Sequence, residues 1–187
     1  ASVTHRFFNN DNKVILAVGR LTEAKNFGFL IRSFKALHDQ HSETRLIILG
    51  EGELRTEFEA LVSDLGLNNV VDLPGFDSNP YAYFKYASLF VLSSNWEGLP
   101  GVLIQALASN VKVVSTDCPS GPMEILDHAK FGLLVECNDQ AGLTQAMQQA
   151  VFADYVHYSE ADFEAHIQQF HKATVLQKYL NMMESAT

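Results

Sequence analysis

The chain has 187 residues, 47% of them apolar and 19% charged, which suits one globular domain with a core two or three layers deep. Its apolar runs stop after about half a dozen residues, short of the roughly 20 that a membrane-spanning helix requires. Thirteen basic residues against 22 acidic ones leave a net charge of −9, which repels phosphate backbones and argues against nucleic acid or an anionic membrane as partner.

The amino end, Ala1 to Arg6, has neither an initiator Met nor an apolar leader core, so the chain is expected to be a piece of a longer protein. Apolar runs then alternate with longer amphipathic stretches. Residues 13–18 (KVILAV), 45–49 (RLIIL), 70–73, 88–92 (SLFVL), 111–116 and 132–135 read as strands. They are apolar throughout rather than at every second position, as a parallel sheet covered on both faces demands. Helical spacing marks 26–41, 53–66, 79–86, 101–109 and 123–130 between them. The first carries the stripe Phe27, Leu30, Ile31, Phe34 and Leu37, the second Leu54, Phe58, Leu61, Val62 and Leu65. The predicted fold is therefore α/β: a doubly wound, six-stranded parallel Rossmann-like sheet with helices on both faces. Helices at 139–152, 160–170 and 173–183 close the chain. The expected division is a sheet domain over 1–155 and terminal helices over 156–187, with Phe163, Ile167 and Phe170 as a partly uncovered apolar face.

In such a sheet the loops at the carboxyl edge, beside helix amino ends, attract anions. Four stand out. Gly19-Arg20-Leu21-Thr22-Glu23-Ala24-Lys25-Asn26 follows the first strand, and its two cations flank a helix start, which suits a diphosphate. Taken singly, Arg20 and Lys25 also read as solvated surface charge. Gly50-Glu51-Gly52 follows the second strand; it fails as a dinucleotide fingerprint, because Arg55 stands where GxGxxG needs its third glycine, and alone it reads as a tight turn. Ser93 to Gly101 follows the fourth strand. There a carboxylate, Glu97, and amides at Gly98, Leu99, Gly101 and Val102 could hold ligand hydroxyls and one phosphate, while Trp96 reads equally as a lid or a packed aromatic. Thr116 to Glu124 follows the fifth strand as a rigid Pro/Gly turn, with Asp117 or Ser120 as a helix cap.

The ordered set GRLxxxKN, GEG, EGLPxVLxxALA and TDCPSGPxEIL resembles the carboxyl-terminal, nucleotide-sugar-binding half of the retaining family-4 (group 1) glycosyltransferases of the GT-B fold, over about Val14 to Met147. Among these it looks most like the bacterial enzymes that build O-antigen or capsule. The resemblance implies that Arg20 and Lys25, with Gly19, grip the donor diphosphate and neutralise the leaving group as the glycosidic bond breaks. It implies that Phe76 to Pro80 contact the base, that Gly50 borders the same cleft, and that Glu97 lies by the donor sugar as the first acid of ExxxxxxxE. The second acid of that motif would hold the ribose, and here its position is Gln105, which keeps an acceptor oxygen without the charge.

No DxD motif is present, so the resemblance implies a metal-independent enzyme without a cofactor. A UDP-sugar carrying a hexose or N-acetylhexosamine is the expected donor. The acceptor, a lipid-linked saccharide, would be reached through an amino-terminal domain outside this chain, and this half alone would be inactive. A cytoplasmic setting at the inner face of the plasma membrane follows, with membrane association only through the rest of the protein. A noncatalytic sugar-nucleotide-binding module and a GT-B-fold epimerase are the alternatives. Cys118 and Cys137 are expected as reduced thiols. No His shows a metal-ligand partner: His38 with His41 reads as an exposed helix end, and His128 as a weak candidate for lining the cleft.

Overall fold

The computed structural model describes residues 5–9, 11–153, 159–170 and 174. The chain divides into two compact units, 1–156 and 157–187. The first unit holds six strands, β1 (Lys13–Val18), β2 (Thr44–Leu49), β3 (Val71–Gly75), β4 (Leu89–Leu92), β5 (Val113–Thr116) and β6 (Leu133–Val135). All pair in parallel, in the order β3-β2-β1-β4-β5-β6. The order reverses between β1 and β4, where Ile15 lies opposite Leu89. Ligand crevices of doubly wound sheets form beyond the carboxyl ends of the strands at such a switch point.

The helices are α1 (Phe27–His38), α2 (Arg55–Asp64), α3 (Tyr81–Phe84), α4 (Gly101–Ala108), α5 (Pro122–Ile125) and α6 (Gln140–Phe152). Alternate strand residues serve opposite faces. Ile15, Ala17, Leu46, Ile48, Leu89, Val91 and Val114 join one core with Leu30, Ile31 and Phe34 of α1, Phe58 and Val62 of α2, and Leu143 and Met147 of α6. Their neighbours Leu16, Ile47, Phe90 and Val113 are just as buried, and Phe90 meets Phe84 of α3 edge to face. Burial on both faces is why the strands are continuously apolar.

Element boundaries shift from the sequence reading for identifiable reasons. β3 runs past Pro74 to Gly75 instead of ending at 73. It is an edge strand, so a residue lacking an N–H is tolerated there. β5 begins at Val113 rather than 111, and α1 begins at Phe27 because Asn26 adopts the left-handed conformation after a short 3₁₀ turn, Glu23–Lys25. The helix expected over 123–130 ends at Ile125, and Asp127, His128 and Ala129 all have positive φ, a left-handed turn that periodicity does not reveal. Neither Asp117 nor Ser120 caps it; Gly121 occupies the cap position. His38 is not an exposed end either: its ring stacks on Phe34 and its Nδ1 lies 3.1 Å from Thr44 Oγ1.

The second unit contributes α7 (Glu160–Gln168), whose amino end is capped by Ser159 Oγ accepting the Asp162 N–H. Phe163, Ile167 and Phe170 are each half-buried. Of the helix expected over 173–183, only Thr174 falls among the described residues.

Candidate active site

Loops after β1, β2 and β3, together with α4, enclose a cavity of about 520 Å³ at the carboxyl edge, lined among others by Gly19, Arg20, Gly50, Glu51, Phe76 and Gln105. Gly50 is required by the close approach of β1 and β2 at this edge. Its φ is +147°, and a Cβ there would lie 1.8 Å from the Gly19 carbonyl oxygen. Arg55, on the first turn of α2, holds the outer wall: its guanidinium grips both oxygens of Glu51 at 2.7 Å and donates to the Leu73 and Gly50 carbonyls at 3.1 and 3.3 Å. The Glu51 and Glu59 hydrogen bonds raise the Arg55 pKa further above its usual value. Arg20 is exposed and its guanidinium makes no hydrogen bond or ion pair with any described residue, and the Gln105 side-chain amide has no partner among them either. Phe76 stands 75% exposed at the rim.

Lys25 lies elsewhere. Its stem crosses Gly19, with carbons 3.1–3.2 Å from where a Cβ would sit, and its Nζ donates to Glu97 Oε1 at 2.5 Å. The two side chains retain 19% and 11% of their exposure, so the pair is largely withdrawn from water. Ser94 Oγ donates to the same carboxylate oxygen at 2.6 Å. The loops carrying the pair are stitched together: Ser93 Oγ donates to the Lys25 carbonyl, the Asn95 N–H to that of Ala24, and the Asn95 and Asn26 amides add side-chain bonds. Asn26 can do this because its left-handed backbone turns the side chain back across the edge.

Gly98, Leu99 and Gly101 are exposed and Val102 is half-buried at the start of α4. Pro100, the residue before the helix, supplies no side-chain cap, and while its carbonyl takes the Leu103 N–H, the Gly101 and Val102 amides remain available to an anion. Gly121 packs this loop against the one after β5, its hypothetical Cβ 2.5 Å from Pro100 Cδ and 2.6 Å from the Gly98 carbonyl oxygen. Trp96 is 51% exposed. Behind the pair, burial together with Cys137 and Glu97 pushes the Cys118 thiol up to about 11, and burial and Asp117 raise that of Cys137. Both are free thiols. His128 is exposed and is not among the residues lining the cavity.

The structure thus divides the expected site residues. Gly19, Arg20, Gly50, Phe76 and Gln105 surround one cavity, Lys25 and Glu97 form one ion pair, and Gly98 to Val102 lead into α4. Sequence reasoning passed over Ser94 and Arg55. Arg55 was legible as the middle of two i,i+4 pairs with Glu51 and Glu59. Ser94 offered only its place in the loop already singled out. Among the described residues no group of three or more His, Cys, Asp or Glu side chains could hold a metal ion, and no helix is long and apolar enough to cross a membrane.

The strand order and the loops gathered at the switch point define a doubly wound, Rossmann-type sheet with its ligand edge at the strand carboxyl ends. The family model for glycosyl transferases group 1 matches residues 4–157, and the chain belongs to that family. It is 47% identical over 122 residues to an uncharacterized glycosyltransferase of Methanocaldococcus jannaschii, covering 65% of this chain and 30% of that protein. It is 42% identical over 137 residues to the N-acetylgalactosamine-N,N'-diacetylbacillosaminyl-diphospho-undecaprenol 4-alpha-N-acetylgalactosaminyltransferase of Campylobacter jejuni, covering 73% of this chain and 37% of that enzyme. Among solved structures, TarM of S. aureus superposes with a TM-score of 0.83 at 23% identity, over 97% of this chain and 36% of that one. The chain thus spans about a third of the length of these relatives.

Proposed function

We propose that this chain is the donor-binding half of a retaining glycosyltransferase that moves a hexose or N-acetylhexosamine from a UDP-sugar to a lipid-linked saccharide in surface polysaccharide synthesis. The observation that carries the reading is the cavity shared by Arg20, Gly50, Phe76 and Gln105, loops distant in sequence that meet at the switch point. Phe76 offers a face to the base, Gln105 an acceptor and donor to the ribose, and Arg20 a charge to the diphosphate. The uncapped start of α4 adds partial positive charge, and the Lys25–Glu97 pair stands where the sugar would lie. In a single displacement with retention the acceptor hydroxyl attacks from the face the diphosphate leaves, and a donor phosphate oxygen accepts its proton. Such chemistry rests on oriented charge and exclusion of water rather than on a dedicated protein base.

The Campylobacter relative is named for transfer of N-acetylgalactosamine to a diphospho-undecaprenol saccharide, and the TarM structure holds UDP. The first supports the sugar and acceptor classes, the second the nucleotide of the donor. Transfer would need the partner domain that binds the acceptor; its setting would be the cytoplasmic face of the membrane, without a metal. Calorimetric titration of the chain with UDP, GDP, ADP and their sugars tests the reading, with and without EDTA. Binding of UDP-sugars that survives the chelator is expected; preference for GDP or ADP, or no binding, would overturn it. The uncharged Gln105 keeps a second reading in play, a noncatalytic sugar-nucleotide binder, which turnover of labelled donor by the full-length protein would exclude.

A further inference from the structure

Glu97 has two carboxylate oxygens, and the structure treats them differently. Oε1 accepts from both Lys25 Nζ and Ser94 Oγ, at 2.5 and 2.6 Å. Oε2 has no partner among the described residues, and since no buried side-chain oxygen is left unpaired, it reaches solvent. A carboxylate held by one cation alone can rotate about its last bond and offer the cation either oxygen or both. A second donor on the same oxygen, from a different direction, removes that freedom.

Ser94 is itself held in place. It is 1% exposed, and its backbone carbonyl accepts the Thr116 hydroxyl at 2.7 Å, an equally buried group at the end of the neighbouring strand β5. On its two sides Ser93 and Asn95 are tied to the loop after β1 by the Lys25 and Ala24 carbonyls. A polar side chain this deep at the end of a central strand costs folding free energy unless it is satisfied, and among the described residues Ser94 is satisfied only by Glu97.

We infer that Ser94 is a positioning residue: it fixes the rotation of the Glu97 carboxylate so that Oε2 alone faces the donor sugar as a hydrogen-bond acceptor, and Thr116 holds Ser94 in turn. This rests on the reading that a sugar nucleotide binds with its sugar beside Glu97. The two differ in what they predict, because Ser94 touches the sugar-facing group and nothing of the nucleotide cavity.

The test is calorimetry on the 187-residue chain with UDP and with UDP-glucose, UDP-galactose, UDP-N-acetylglucosamine and UDP-N-acetylgalactosamine, following the ratio of the UDP dissociation constant to that of the tightest sugar nucleotide. In Ser94→Ala this ratio should fall about five- to tenfold while UDP itself stays within about twofold. Thr116→Val, which keeps shape and removes the hydroxyl, should lower it about two- to threefold. Equal weakening of UDP and its sugars, or an unchanged ratio, would show that Ser94 only supports the loop and would overturn the inference. If the chain binds none of these nucleotides the donor reading fails instead, and urea unfolding then decides for Ser94 alone. Ser94→Ala and Glu97→Gln should be non-additive in midpoint, whereas additive shifts would show that the two groups do not act as a unit.

Discussion

The cavity beyond β1, β2 and β3 and the Lys25–Glu97–Ser94 cluster sit at the carboxyl edge of the same sheet, yet Arg20 and Gln105 in the one and Lys25 and Glu97 in the other are held in opposite states. Around the cavity, Arg20 is exposed and its guanidinium, like the Gln105 side-chain amide, has no partner among the described residues, and Phe76 presents most of its ring to water. A ligand that engages Arg20 or the Gln105 amide competes only with solvent. In the cluster, Lys25, Glu97 and Ser94 already satisfy one another, and the ammonium and carboxylate cancel at a distance. A diphosphate that recruits Lys25 must share it with Glu97. The two cations of one loop, equivalent on paper, are therefore expected to differ: Arg20 attracts the anion from solution, and Lys25 acts once the donor is seated.

The largest effect should come from Arg20. Arg20→Ala is expected to weaken UDP by about 1.5–3 kcal/mol, the range for charge-assisted hydrogen bonds, with uridine nearly unchanged in the same calorimeter. Equal losses for both ligands would place Arg20 at the base and erase the contrast.

Removing Lys25 should instead be felt first as stability. Lys25→Met leaves a mostly buried carboxylate with Ser94 as its remaining partner and should cost about 1–3 kcal/mol in urea unfolding. Lys25→Met combined with Glu97→Gln should recover part of the loss, because no unpaired charge remains. If the double variant is no more stable than Lys25→Met alone, the ion pair does not hold these loops together.

A smaller change is expected at Gln105. Gln105→Glu places an ionised acceptor where the ribose hydroxyls would lie and should tighten UDP by about 1 kcal/mol, reduced by repulsion from the diphosphate and from Glu51 across the cavity. A 2′,3′-dideoxy analogue should not share the gain. A common response would move the ribose away from α4.

The mildest expectation concerns pH behind the cluster. The folded Cys118 thiol titrates at about 11, above the 9.0 of an ordinary thiol. The unfolded chain therefore releases this proton first: stability is intact below pH 9.0 and declines as pH rises toward 11. Unfolding midpoints between those limits should fall less steeply in Cys118→Val than in the parent. Matching slopes would mean that the thiol is not shielded by its surroundings.

Much of the fold was legible because its causes are local. Continuous apolarity marks strands covered on both faces, and 3.6-residue spacing marks α1 and α2. The misread stretches are those where a single backbone conformation outweighs periodicity. Asn26 turns left-handed before α1, three successive positive-φ residues stop the helix after α5, and Pro74 is admitted because β3 lies at the edge. His38 looked exposed for a related reason: its place at a helix end says nothing of the Phe34 ring and Thr44 hydroxyl that pack around it.

The order of strands and helices, and the residue types carried in each carboxyl-edge loop, were determined by the sequence alone, since both follow from side-chain pattern and turn chemistry over a few residues. Which of those loop residues meet was decided only by the tertiary structure. Lys25 and Glu97 are 72 positions apart, and nothing in their local surroundings selects Lys25 over Arg20 as the partner. The reversal of strand order between β1 and β4 brings their loops together, Gly19 leaves room for the Lys25 stem, and Ser94 holds the carboxylate it meets. Ion pairing depends on distance and desolvation, and the chain acquires both only when its sheet is assembled.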